Sequence, residues 1–148
     1  MKPDDFEPIT PEREEFLCSR IPRPPFFPSL VGLTMNEVRR GYARMTLPYR
    51  TEVTQPSGIF HGGAIATLID TVVVGAVLSL YDDPTEGSKG LVTVVSSIHY
   101  LAAAKDEDLV AEARVRQRRK NLTFVEVEVA TANGSDIAHA EVVYRTPT

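Results

Sequence analysis

Apolar residues recur through His61–Tyr81 at Ile65, Leu68, Ile69, Val72, Val73, Ala76, Val77 and Leu80, the i, i+3, i+4, i+7 spacing of a helix. The opposite side carries Ala64, Ala66, Val74 and Gly75 rather than charges, and a helix apolar nearly all round is a buried one. The run Val72-Val73-Val74 favours a strand, but the length and the preceding glycines predict a helix, stopped by Asp82-Asp83-Pro84. Elsewhere the period is two. Ala43, Met45 and Leu47 alternate with Tyr42, Arg44 and Thr46, and Ala111, Ala113 and Val115 with Glu112, Arg114 and Arg116. Val125, Val127 and Val129 alternate with Glu126 and Glu128, each pattern that of a sheet with one buried face. Ser29–Pro48 predicts two strands broken at Gly41, and a loop with Pro56 and Gly58 follows to Phe60. Leu91–Leu101, Leu109–Gln117, Thr123–Thr131 and Ile137–Arg145 predict further strands, with turns at Lys120-Asn121 and Asn133-Gly134. The sum is an α+β fold in which five or six antiparallel strands wrap one long helix.

The beginning of the chain differs. Seven of the eleven prolines fall in the first 28 residues. Thr10-Pro11 followed by Glu12, Glu14 and Glu15 predicts a short helix ending before Pro22, after which Ile21–Pro28 runs extended. Residues 1–28 read as an arm packed on a single domain spanning 29–148. A chain of 148 residues has room for one domain and buries roughly two-thirds of its unfolded surface without disulfides or metal. Hydrophobic residues at 43% and charged residues at 24% exclude a disordered or fibrous chain. Sixteen basic against twenty acidic residues, a net charge of -4, argue against a nucleic-acid partner. The single cysteine, Cys18, excludes an intrachain disulfide framework and a Cys-rich zinc module, and with no His nearby it is a poor nucleophile. No signal peptide and no run of 18 apolar residues is present, so the expectation is a cytoplasmic protein with no membrane partner.

Candidate chemistry concentrates at Gln55-Pro56-Ser57-Gly58-Ile59-Phe60-His61-Gly62-Gly63-Ala64, where loop becomes helix. The first turn of a helix leaves backbone N–H groups unpaired, and glycine lets a ligand oxygen approach them. Those donors suit a carbonyl oxygen that gains negative charge during reaction. Tight packing of a Gly-rich helix entry against a strand is the alternative. Asp70 lies mid-helix, where an uncompensated carboxylate is costly. Either a backbone group or salt bridge holds it, or it is a base or nucleophile in an apolar cleft. Nine residues separate His61 from Asp70, which at ~100° per residue is about half a turn out of phase. Residues on opposite sides of one helix share a site only if two chains contribute, which predicts a two-fold dimer.

These residues carry a resemblance. Gln55, Gly58, His61-Gly62-Gly63-Ala64, Leu68 and Asp70, opening a long apolar helix in an otherwise β chain, resemble the hotdog-fold acyl-CoA thioesterases of the phenylacetate-pathway type over residues 29–146. The resemblance implies a sheet wrapping a central helix, with two protomers joined sheet edge to sheet edge and sites at that interface, usually within homotetramers. It implies hydrolysis of an acyl-CoA in which coenzyme A is part of the substrate and no separate cofactor is needed. Asp70 would be nucleophile or general base, Gln55 would orient water or carbonyl, and His61 would position its neighbours. The Gly62 amide would polarise the carbonyl, with Gly63 beside it, and Thr93 would help hold the water. Gln55 matches the hydroxybenzoyl-CoA branch whereas Asp70 matches the phenylacetate branch, which leaves the acyl group, aryl or medium-chain, open.

Five of the sixteen basic residues lie within 114–120. Arg114, Arg116 and Arg118 are expected on one strand face, the first two paired with Glu126 and Glu128. Arg118, Arg119 and Lys120 are expected, by analogy with the family, at the phosphates of coenzyme A. His99 and His139 fall on separate strands with no acid or Cys at ligand spacing, so no metal site is expected. A non-catalytic acyl-CoA-binding protein and a hydratase or dehydratase on the same scaffold are the alternatives.

Overall fold

The computed structural model describes residues 2–147; Met1 and Thr148, the outer ends of the expected arm and domain, lie outside the described residues. In chain order the elements are α1 (Pro11–Arg20), α2 (Phe27–Val31), β1 (Thr34–Arg39), β2 (Tyr42–Leu47), α3 (Gly62–Leu78) and α4 (Pro84–Gly87), then β3 (Val92–Tyr100), β4 (Leu109–Arg119), β5 (Leu122–Thr131) and β6 (Asp136–Arg145). The six strands form one antiparallel sheet in the order β1-β2-β4-β5-β6-β3. α3 lies across its concave face. Leu68, Ile69, Val72, Val73, Ala76 and Val77 are buried there against Met45, Ala113, Val127 and Ala140. The three-valine run is helical because burial on the sheet outweighs the few tenths of a kcal/mol that β-branching costs each residue. The helix approaches the β1–β2 hairpin closely at Gly75, where a Cβ would sit 2.8 Å from Met35 Cε and 3.0 Å from Ala43 Cβ.

Three sequence expectations change. Residues 21–28 are not extended: two turns lead into α2, which starts at Phe27 and ends at Gly32 with φ +87. Tyr42, expected on the solvent side, is fully buried. Phe6 stacks on its ring at 5.3 Å and its hydroxyl donates a hydrogen bond to the Glu112 carboxylate, so the residues before α1 cover the outer face there. Arg118 does not share a face with Arg114. A bulge at Arg116 shifts the register between Val115 and Gln117 and sets Arg118 opposite the buried Thr123, since one extra residue turns every later side chain to the other face.

The two sheet edges are treated differently. Along β1, Pro8 bridges Arg39, the Arg40 amide donates to Glu7 O at 2.9 Å, and α1 packs alongside with Leu17 in the core. Among the described residues β3 has no such cover. Val92, Val94 and Val95, in the apolar and β-branched strand expected over Leu91–Leu101, are each more than half exposed. A long, bare apolar edge is a template for pairing with another chain.

Candidate active site

The Gln55 loop is tied down at both ends. The Gln55 amide donates to Ile59 O at 3.0 Å and the Gly58 amide to Gln55 O at 2.8 Å, with Gly58 at φ +88. The Phe60 amide donates to Ala104 O and the His61 amide to Val53 O. This brings the chain to α3 with His61 as N-cap, whose Nδ1 accepts from the Gly63 amide at 2.8 Å. The Ala64 and Ile65 amides donate to the His61 carbonyl at 2.9 and 3.2 Å. Of the four amides a helix start leaves unpaired, only that of Gly62 keeps no partner among the described residues. Gly63, expected beside it as a ligand donor, has its amide engaged by His61, and His61 spends its ring on the cap.

Gly62 faces a cleft of about 360 Å³ that it lines with Gln55, Phe60, Ile65, Tyr100 and Leu101. The Gln55 side chain donates to Ser57 Oγ at 3.0 Å, and the Tyr100 hydroxyl donates to Gly62 O at 3.2 Å. Gln55 and Gly62 are therefore brought together. His61 and Gly63 line a separate cleft on the far side of the junction.

Asp70 stands with a different group. Thr93 and Tyr144 are opposite one another on β3 and β6, and both hydroxyls donate to Asp70 Oδ1, at 2.7 and 3.0 Å. Tyr144 also donates to the Asp70 carbonyl at 2.9 Å. Burial, with the Asp70 charge adding to it and a Thr93 hydrogen bond opposing, holds the Tyr144 hydroxyl above the usual phenol range, so it stays a donor. Oδ2 accepts no hydrogen bond among the described residues. The carboxylate is half-buried rather than enclosed, fixed through one oxygen and open at the other. Tyr144 was not singled out from sequence. It continues the inward row Ala138, Ala140, Val142, and a buried phenol in such a row needs a partner.

The two half-sites do not meet within one chain. Gly62 and Asp70 are eight residues apart on α3, roughly 12 Å of helix rise. Gly62 sits against Tyr100 at the end of β3, Asp70 against Thr93 at its start.

Residues 57–138 match the thioesterase superfamily. The chain belongs to the thioesterase superfamily. The match includes Gly62, Asp70 and Thr93, and leaves Gln55 and Tyr144 outside it. The chain is similar to human acyl-coenzyme A thioesterase 13, 32% identical over 108 residues that cover 72% of this chain and 74% of that protein. Its fold is that of the Escherichia coli PaaI protein from the phenylacetic acid degradation operon, with a TM-score of 0.72, 19% identity and coverage of 81% of this chain and 83% of that one. A hypothetical thioesterase protein of Streptococcus pneumoniae TIGR4, solved with coenzyme A, superposes with a TM-score of 0.69 at 23% identity, covering 78% and 85% of the two chains. The superfamily scaffold is thus a hotdog: one antiparallel sheet around α3.

Other expected residues of this thioesterase-superfamily chain lie elsewhere. The Arg118 guanidinium donates to Tyr81 Oη at 2.9 Å and Pro147 O at 3.0 Å and stacks over the Tyr81 ring. Arg119 and Lys120 are exposed at the β4–β5 turn, away from both half-sites in the chain. His99 is opposite His139, and His139 opposite Glu128, an adjacency that sequence spacing did not reveal. Among the described residues no group of three could hold a metal. Burial, then the Glu14 and Glu37 carboxylates, push the Cys18 thiol up to about 11, which leaves it unreactive. No helix among the described residues is long and apolar enough to cross a membrane.

Proposed function

We propose that the protein is an acyl-CoA thioesterase that hydrolyses an aryl or medium-chain acyl-CoA to a carboxylic acid and free coenzyme A. It would act in the cytoplasm as a homodimer, two of which join as a homotetramer. The observation that carries this reading is the free Gly62 amide at the positive end of α3, beside Gln55. A donor fixed there stabilises the oxyanion that forms when a thioester carbonyl is attacked. Gln55 orients the carbonyl or the attacking water. Asp70 Oδ2 serves as general base or as nucleophile. In the first case it takes a proton from water as hydroxide adds to the carbonyl carbon, and the thiolate leaves with that proton. In the second it attacks the carbonyl carbon and expels coenzyme A as thiolate, leaving an acyl anhydride; water then opens the anhydride to the carboxylic acid and the Asp70 carboxylate, and the proton released goes to the thiolate. Thr93 and Tyr144 keep Oδ1 engaged so that Oδ2 faces the substrate.

The shared site follows from the edge strand. If β3 pairs antiparallel with its copy, the start of one β3 lies against the end of the other. The partner's Asp70 then approaches Gly62 and Tyr100, and two equal sites form about the two-fold axis.

Gly62→Pro tests the carbonyl assignment. Gly62 is the first residue of α3, where proline is tolerated and removes only an N–H. His61 already has φ -66 and ψ 134, as a residue before proline prefers. The expected result is a fall in thiol release of about 10²- to 10³-fold with an unchanged melting temperature. Wild-type turnover by the folded variant would remove Gly62 from the chemistry.

A further inference from the structure

Three large apolar side chains at and around α2 face outward: Phe26, Phe27 and Leu30 are 53%, 59% and 73% exposed. The segment that carries them is anchored. Gly32 ends α2 with its amide on the Pro28 and Ser29 carbonyls, and Arg50 donates to Leu30 O at 2.6 Å while packing over Gly32. Val31 packs against the core. An apolar patch held in a fixed place beside a cleft marks a binding surface.

The cleft is the one beyond the His61–Gly63 junction. Phe27 and Val31 line it together with Val53, His61, Ala64 and Thr67, and its volume is about 360 Å³, within the range of small-molecule sites. Two clefts thus flank one helix start, one reaching Gln55 and Gly62, the other reaching His61 and Gly63. A thioester carbonyl likewise carries two arms of opposite character, an acyl group and a thiol arm that ends in phosphates. The α2 cleft is lined mainly by apolar side chains, whereas the loop that leads to the Gln55 cleft carries a lysine. Glu52 lines the α2 cleft, though Arg50 lies 3.8 Å from it. Lys105 packs over Gly58 in the loop that follows Gln55.

We infer that α2 walls the acyl-binding cleft, with Phe27 and Val31 setting which acyl groups are preferred, while the coenzyme A arm takes the Gln55 side. The inference rests on the thioesterase reading and gives the arm a role in specificity. An apolar acyl chain laid along Phe27 leaves water, and each buried methylene favours the longer ester. An acetyl group is too short to reach it.

The test is the ratio of kcat/KM for octanoyl-CoA to that for acetyl-CoA, measured by thiol release, together with inhibition by free coenzyme A. Phe27→Asp places a carboxylate in the cleft wall at the first position of α2, where acid suits the helix and the ring's exposure makes the change tolerable. It is expected to lower the ratio by at least about tenfold without changing the coenzyme A inhibition constant. Phe27→Leu, which restores an apolar wall, is expected to return the ratio to within about threefold of wild type. An unchanged ratio in the Asp variant overturns the inference. So does an equal loss on both esters with weaker coenzyme A inhibition, which would put α2 on the thiol arm. Failure of the wild-type protein to release thiol from any ester is a different result: it overturns the hydrolase reading itself.

Discussion

Asp70→Asn is expected to lower thiol release by about 10³-fold, the scale of losing a positioned base or nucleophile. The variant keeps its shape. An asparagine carbonyl still accepts from Thr93 and Tyr144, which hold Oδ1 at 2.7 and 3.0 Å in the native chain. What it loses is the basic oxygen Oδ2, which accepts no hydrogen bond among the described residues. The melting temperature is therefore expected to stay within a few degrees, since exchanging a half-buried carboxylate for an amide in the same two hydrogen bonds removes neither. KM is expected to change much less than kcat, because an interaction made only in the transition state is the one removed. Steady-state thiol release on the best acyl-CoA, read beside a thermal melt, checks this. A folded variant working near the wild-type rate would show that Asp70 is held by Thr93 and Tyr144 for structure alone.

Mixing two inactive variants is expected to restore activity. Gly62→Pro and Asp70→Asn chains, unfolded and refolded together in equal amounts, give mixed dimers in about half of all pairings. In a shared-site dimer, one site of each mixed pair joins both defects and the other joins none. The expected specific activity is about a quarter of wild type, against nearly nothing for either variant alone. The single chain already points this way. Its Gly62 and Asp70 are attached to opposite ends of β3, through Tyr100 and Thr93, and the outer edge of that strand is bare. No recovery in a preparation shown to contain mixed dimers would place each site within one chain. A stable monomer at micromolar concentration in light scattering would do the same.

The candidate site was legible where its chemistry depends on local sequence. A Gly-Gly step after a capping residue puts free amides at a helix start whatever the rest of the fold does, and the half-turn offset of His61 and Asp70 is set by helix geometry alone. Spacing did not rank the amides within that motif, and Gly62 was named only from the resemblance. Sequence spacing left the Gly62 and Gly63 amides equivalent, and the His61 ring, by capping Gly63, leaves the Gly62 amide without a partner among the described residues. Thr93 could be named from the resemblance, but Tyr144 could not. Its meeting with Asp70 spans 74 residues and depends on the β3–β6 register.

The same division holds for the fold. Hydrophobic period alone determined one buried helix and a one-faced antiparallel sheet, because 3.6- and 2-residue repeats record which side chains must leave water. Period could not tell a buried strand from an edge awaiting a partner, since both are rich in Val and Ile. Leu91–Leu101 therefore read only as a strand, and it took the fold to show that most of Val92–Tyr100 is exposed. Nor could period register the bulge at Arg116, a single residue outside the ladder that turns Arg118 to the other face from Arg114, over the Tyr81 ring. Strand order, register and the covering of Tyr42 by Phe6 are long-range choices. They follow from which packing excludes most water across the whole sheet, so only the tertiary structure decided them.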